Sequence, residues 1–409
     1  MTKTTNSPSR NAGSRPPLVT RPLLLRFVSI IGASTSFFLL LSVVPLYAET
    51  SGGGDNGAGP ATGALMLATV VGELATPRLV ARFGYRLVLA TGLVLLGAPA
   101  LVLTASADMV WIVAVCLVRG LGFAFTVVAG GALTASLIPP ERRGEGLALV
   151  GIVSGVPSLV ALPLGVWLVG QVGYAPVCLA GGLAALAAIV SVPGLPDREP
   201  ASERSVTMLS GLRTAALLRP AVVFAAAALA AGIIVTFLPL AVPSASLGLV
   251  SVALFAQSAA ATVARWVAGR HSDRHGPAGL VLPGLAAAAA GTLLIAMTHR
   301  PVAVMAGVAL FGIGFGVIQN ATLTLMYARV SAAGYGTVSA LWNFAYDAGM
   351  GAGALGFGVL ADGVGYPLAF TLTAALMLTA VAPAWRDRRP GEMTNASGDG
   401  TDQASAGSG

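Results

Sequence analysis

The stretch GRHSDRHG (Gly269–Gly276) sets two arginines, two histidines and an aspartate between glycines, in a chain of which only 10% is charged. PRLVARFG (Pro77–Gly84) repeats its arginine and glycine positions 192 residues earlier. Arg270 falls on Arg78, Arg274 on Arg82 and Gly276 on Gly84, with Gly269 opening the second copy, while Asp273 falls on Ala81. The same offset lays GIGFG, from Gly312, onto GLGFA, from Gly120, and VGY at Val364 onto VGY at Val172. Single matches are common in Gly-rich sequence; four in one register mean two related halves running in parallel.

The 409 residues are 56% hydrophobic, with a mean hydropathy of +0.83. A water-facing surface needs far more charge, so the chain is read as an integral membrane protein. Its net charge of +7 and pI near 10.0 would suit nucleic acid, but the arginines fall in short clusters between apolar runs, as membrane topology requires, and no nucleic-acid partner is expected. Cys116 and Cys178 lie inside apolar runs, which leaves no disulfide framework, and no residue set has metal-ligand spacing, a P-loop or a nucleophile elbow. No cofactor, no metal and no enzymatic activity are expected.

A helix crossing the bilayer needs about 20 mostly apolar residues. Twelve such runs stand near 23–47, 60–82, 86–105, 109–137, 144–170, 173–193, 220–241, 246–269, 279–298, 301–328, 334–361 and 365–384. Arginines crowd alternate loops: Arg10, Arg15, Arg21 and Arg26 before span one, Arg78, Arg82 and Arg86, Arg142 and Arg143, four between spans six and seven, Arg270 and Arg274, Arg329, and Arg386, Arg388 and Arg389 at the end. The positive-inside rule then puts both termini in the cytoplasm. The expected organisation is a disordered tail (1–22), a six-helix bundle (23–193), a cytoplasmic linker (194–219), a second six-helix bundle (220–385) and a disordered tail (386–409). The first apolar run is too long for a signal peptide.

With these features on the page, the chain resembles the major facilitator superfamily, and within it the 12-span drug:proton antiporter branch. GRHSDRHG fits the signature of that family's loop between spans two and three or eight and nine. RGLGFA, from Arg119, resembles its span-four motif, with Cys116 where the family usually has an arginine. GIVSGVPSLVALPLG resembles the span-five motif of the antiporters through Gly151, Gly155, Pro157 and Gly165. The resemblance implies an all-α membrane fold of 12 transmembrane helices in two pseudo-symmetric six-helix bundles that act by alternating access. It also implies a latch: Asp273 should meet the start of span five near Gly144–Gly146, braced by Arg270 and Arg274, because a helix N-terminus favours a carboxylate. Ala81 removes the matching contact to the start of span eleven, leaving Arg78, Arg82 and Gly84 without an acid.

Charges at bilayer depth are costly, about 2.5 to 3.5 kcal/mol each on insertion scales, so each needs a reason. Glu73 stands about 13 Å from the cytoplasmic face, Asp347 about 20 Å from it, and Arg119 about 16 Å deep from the opposite side. Arg265 occupies Glu73's position in the second half. The two acids and two bases could neutralise one another in pairs. Alternatively, if spans two and eleven face each other as in the family, the acids come to one interface, where burial and mutual repulsion favour protonation of at least one, which loads a proton on one side and releases it on the other, with Asp347 as carrier and Glu73 as modulator. Arg119 is expected to face a central cavity also lined by Asn343, Tyr346, Gln319, Asn320, Phe123 and Trp342. Such an aromatic, sparsely charged cavity suits a lipophilic or amphipathic solute. The reading is proton-coupled efflux of a small molecule across the inner or plasma membrane, with protons, cargo and bilayer as partners and a monomer as the acting unit. Proton-coupled uptake, and a non-transporting scaffold or sensor, are the alternatives.

Overall fold

The computed structural model describes residues 17–50, 57–139, 143–197, 214–242, 247–330 and 334–386. The greater part of both expected tails and of the linker lies outside the described residues. All regular secondary structure among them is helical, and ten helices are long and apolar enough to cross a membrane. We number the helices α1 (Arg21–Leu41), α2 (Val43–Ala48), α3 (Ala58–Val102), α4 (Met109–Leu137), α5 (Arg143–Val172), α6 (Tyr174–Ala187), α7 (Ala215–Ala241), α8 (Leu247–His275), α9 (Ala278–Ile295), α10 (Pro301–Tyr327), α11 (Tyr335–Thr379) and α12 (Val381–Arg386). The end of the bundle where α1 begins is called here the tail end, and the opposite one the far end.

Two elements are longer than any bilayer requires. α3 and α11 each run 45 residues, and each is broken by one glycine: Gly84 with φ 81° and Gly365 with φ 77°. Both breaks reverse the chain. A Cβ on Gly72 would touch Ala124 and one on Gly92 would touch Phe125, so two points that a straight helix would set about 30 Å apart lie at one level of α4. Likewise the rings of Phe357 and Phe370, on either side of Gly365, are 4.8 Å apart. The loops expected at these points are therefore absent, a single left-handed glycine replacing each.

The segment GRHSDRHG departs from expectation in the same way. It forms the last turns of α8, which ends at Gly276 (φ 81°), whose N–H donates to the Ser272 carbonyl at 2.9 Å. The positive-φ residues among those described are Gly84, Gly173, Gly276 and Gly365, two pairs separated by 192 residues. Only glycine adopts this backbone without strain, so the repeat is written into the turns as well as the sequence.

Helices in lipid gain nothing from hiding apolar surface from one another and associate through close approach. The repeat reappears in those approaches. A Cβ on Gly120 would lie 2.2 Å from the Leu65 carbonyl and one on Gly312 2.4 Å from the Gln257 carbonyl; one on Gly122 would lie 2.4 Å from the Leu96 nitrogen and one on Gly314 2.3 Å from the Ala288 nitrogen. Each partner is again 192 residues on. The glycines of α11 serve packing: Gly349 and Gly353 press on the Ala225 and Leu229 carbonyls of α7, and Gly351 on Met66 of α3.

At the Gly84 turn, where Ala81 leaves the loop without an acid, Asp197 supplies one. Its carboxylate accepts from the Arg86 N–H at 3.2 Å, its carbonyl accepts from the Tyr85 N–H at 3.1 Å, and Arg86 Nε donates to the Leu195 carbonyl. An acid at the N-terminus of the second arm of α3 caps it. Gly84→Ala would force a side chain into a backbone region reserved for glycine and place its Cβ 2.6 Å from Asp197 Oδ1. The expected cost is roughly 1 to 3 kcal/mol, read as a lower melting temperature in detergent.

Candidate functional site

A cavity of about 360 Å³ opens where α1, α3, α4 and α5 of the first half meet α7, α8, α10 and α11 of the second. Toward the far end the halves are joined by polar and close backbone contacts. Ser42 Oγ donates to the Val235 carbonyl at 2.8 Å, the Thr62 and Thr236 hydroxyls are 3.1 Å apart, and a Cβ on Gly59 would meet the Ala354 carbonyl. The α3 and α11 seam continues from there to Glu73 and Asp347, at the cavity wall. A second hollow of about 280 Å³ shares Ser34, Phe123, Val127 and Ser154 with the first and reaches Arg26 and Thr134, toward the tail end.

The carboxyl groups of Glu73 and Asp347 face each other within hydrogen-bonding reach, and both line the cavity. Asp347 is only 4% exposed. Two carboxyl groups share a hydrogen bond only if one of them holds a proton, since an ionised carboxylate has none to donate. Two bare charges here would repel across a poorly solvated gap. The bases do not neutralise the acids: Arg119 and Arg265 have no carboxylate partner among the described residues. The pairwise neutralisation that the sequence left open is not what forms.

Arg119 is not in the cavity. It is 1% exposed, inside the first half, where Nε donates to the Leu96 carbonyl and an Nη to the Ser36 carbonyl, both at 3.3 Å. The glycines at 120 and 122 draw α4 against both arms of α3 and turn residue 119 inward. We expect Arg119→Gln to lower the melting temperature, by about 1 to 3 kcal/mol of lost charge-assisted bonding, while leaving cargo affinity of the folded protein unchanged. Asn320 also misses the cavity: it accepts from Ser272 Oγ at 3.4 Å and lies against Gly269, at the tail end of α8.

Gln319, Phe123, Trp342, Asn343 and Tyr346 do line it. Phe37 stacks on Phe123 with centroids 3.6 Å apart, and Trp342 on Phe224 at 4.2 Å, so each half contributes an aromatic wall. Trp342 is held by a bond from Nε1 to Thr322 Oγ1. Arg265 is exposed into the cavity, within electrostatic range of Tyr346. Of the span-five glycines, Gly155 borders the cavity, Gly151 meets open space, and Gly165 lies against the Leu39 carbonyl, where α5 crosses α1; Pro157 is buried between them.

Most of the expected latch partner at the start of span five lies outside the residues whose side chains are described. Asp273 is exposed and has no hydrogen-bond partner among the described residues. Arg270 does not brace it: its guanidinium lies over the Trp266 ring at 4.2 Å. Gly146, at the start of α5, packs on Ile138. Arg274, Arg78 and Arg82 are exposed, with Arg82 over Phe83 at 5.2 Å.

Sequence reasoning missed Arg26, counted among the arginines before span one. It is 4% exposed inside α1, donating to the carbonyls of Gly130 and Thr126 and the hydroxyls of Thr134 and Ser29. The available signal was its place inside the first apolar run. Four neutral acceptors engage all three of its nitrogens but leave its charge uncancelled.

No curated protein matches the sequence at a significant level. Among solved structures, a bacterial homologue of the human lysosomal transporter Spinster, in an inward-facing, occupied conformation, superposes with a TM-score of 0.77 at 14% identity, covering 92% of this chain and 98% of that one. The human organic anion transporter MFSD10 gives 0.67 at 17% identity over 90% of this chain and 100% of its own. The nucleoside transporter NupG gives 0.67 at 14% over 90% and 98%. At these identities the likeness concerns the fold. The family profile of the Major Facilitator Superfamily matches residues 26–354, most of the chain, and the protein is therefore a multi-pass membrane protein belonging to the Major Facilitator Superfamily.

Proposed function

We propose that this chain is a proton-coupled exporter of a small amphipathic molecule, working by alternating access. Counting α3 and α11 as two crossings each turns the ten candidate spans into twelve, in two six-helix halves at 23–193 and 220–385. Arginine clustering assigns the tail end to the cytoplasm, so the conformation described would be the one open to the cytoplasm. The carrying observation is that Glu73 and Asp347, one acid from each half, face each other in the wall of the cavity. A proton held between elements that separate when the halves rock is linked to that motion, which is what coupling requires. Asp347 is the carrier and Glu73 its modulator. The direction rests on the likeness of Gly151–Gly165 to the antiporters. Inside-out vesicles with an imposed proton gradient test it, with a panel of amphipathic fluorescent dyes as cargo: export predicts gradient-dependent accumulation, uptake predicts depletion.

The latch belongs to the other half of the cycle. Closing the tail end would bring Asp273 toward the start of α5. Asp273→Asn is then expected to raise cysteine labelling, from the cytoplasmic side, of single-cysteine reporters lining α5 and α8, and Ala81→Asp to lower it. Unchanged labelling in both variants removes the latch from the mechanism.

A further inference from the structure

Resting on that reading of the cavity, we propose that its cargo is an organic anion, a carboxylate on an apolar body of ring size, and that Arg265 is the residue that binds the anionic group. Three observations carry this. Arg265 is exposed into the cavity and has no carboxylate partner among the described residues. The two acids that could have paired with it face each other instead. Finally, Arg26, also without an acid, lines the adjoining hollow, so each half sets one guanidinium in these two connected spaces.

A guanidinium presents a planar fork of donors that matches a carboxylate, and in a poorly solvated cavity that bond is worth more than at a surface. The rest of the lining fits such a molecule. The Phe37 and Phe123 stack faces it from one half, and Phe315 and Trp342 from the other. Gln257 and Gln319 line the same space, each with a buried amide oxygen lacking a partner, which a donor on the cargo would satisfy. Tyr346 lies within electrostatic range of Arg265 on one side and Asp347 on the other. It is placed to report cargo occupancy to the acid pair.

The test is equilibrium calorimetry on the full-length protein in nanodiscs of zwitterionic lipid. The probes are three aromatic acetates of increasing size (phenyl, naphthyl, anthracenyl), each beside its primary amide and the corresponding arylmethylamine. The expected result is that at least one carboxylate binds about tenfold or more tighter than its amide, with the amine weakest. Arg265→Gln should bring acid and amide to within about twofold, and Arg265→Lys should keep part of the preference. Equal binding of acid and amide across the set, a preference for the amine, or a preference that survives Arg265→Gln would each overturn the proposal. Because no gradient is applied, the outcome is separate from coupling. A carboxylate preference in a protein that fails to accumulate cargo would sink the proton-coupled reading and leave the anion site standing, while accumulation without that preference would do the reverse.

Discussion

Asp347→Asn is expected to reduce gradient-driven accumulation of cargo to the level of protein-free vesicles, and to remove its pH dependence, while binding and downhill exchange persist. An asparagine amide at 347 can donate to the Glu73 carboxyl, so the seam between α3 and α11 keeps a bond there. What it cannot do is release a proton when the halves part. Among the described residues, the other ionisable side chains bordering the cavity are Glu73 itself, Arg265 and Tyr346, and no histidine lines it. Glu73→Gln preserves the same bond from the other side and should lower accumulation less, since the carrier remains. Proteoliposomes with an imposed pH gradient, compared across the two variants and across pH, give the answer. Undiminished concentration of cargo by Asp347→Asn would remove that residue as the coupling site, and the Glu73→Gln result would then say whether the assignment is reversed.

The second large effect lies in the packing. Gly120→Ala and Gly312→Ala each place a methyl group within 2.4 Å of a backbone carbonyl, Leu65 in one case and Gln257 in the other. A rigid helix cannot give way as a side-chain end can, so α4 must lift from α3, and α10 from α8. Each substitution is expected to cost roughly 1 to 3 kcal/mol, from overpacking. The two sites lie in different halves and should add. Gly356→Ala, where a Cβ meets open space, is the control: it should be neutral or gain up to about 1 kcal/mol of helix propensity. Thermal melting of the three variants and the double variant in one detergent separates the outcomes. Equal melting of Gly120→Ala and Gly356→Ala would mean that the close approach does not hold the bundle.

Much of this architecture was legible in the residues. Composition dictated a membrane, because so few charges cannot cover a soluble surface, and the register of 192 residues dictated two related halves. That register carried further than the matches first suggested, to the four left-handed glycines and to the carbonyls their helical counterparts touch. The acids at 73 and 347 were conspicuous for the cost of burying them. The side each residue faces was not legible. Helices in lipid are apolar all round, so no amphipathic stripe marks which face turns inward, and rotation about the axis is decided by where glycine lets two backbones meet. That is why Arg119 is buried inside its own half, why Arg26 is an interior residue and not a tail charge, and why Asn320 lies outside the cavity. It is also why acid met acid while the bases stayed apart. Glu73 and Arg265 occupy one position of the repeat, and the tertiary structure, by crossing α3 with α11, brought Glu73 to Asp347 and left the guanidinium facing the cavity.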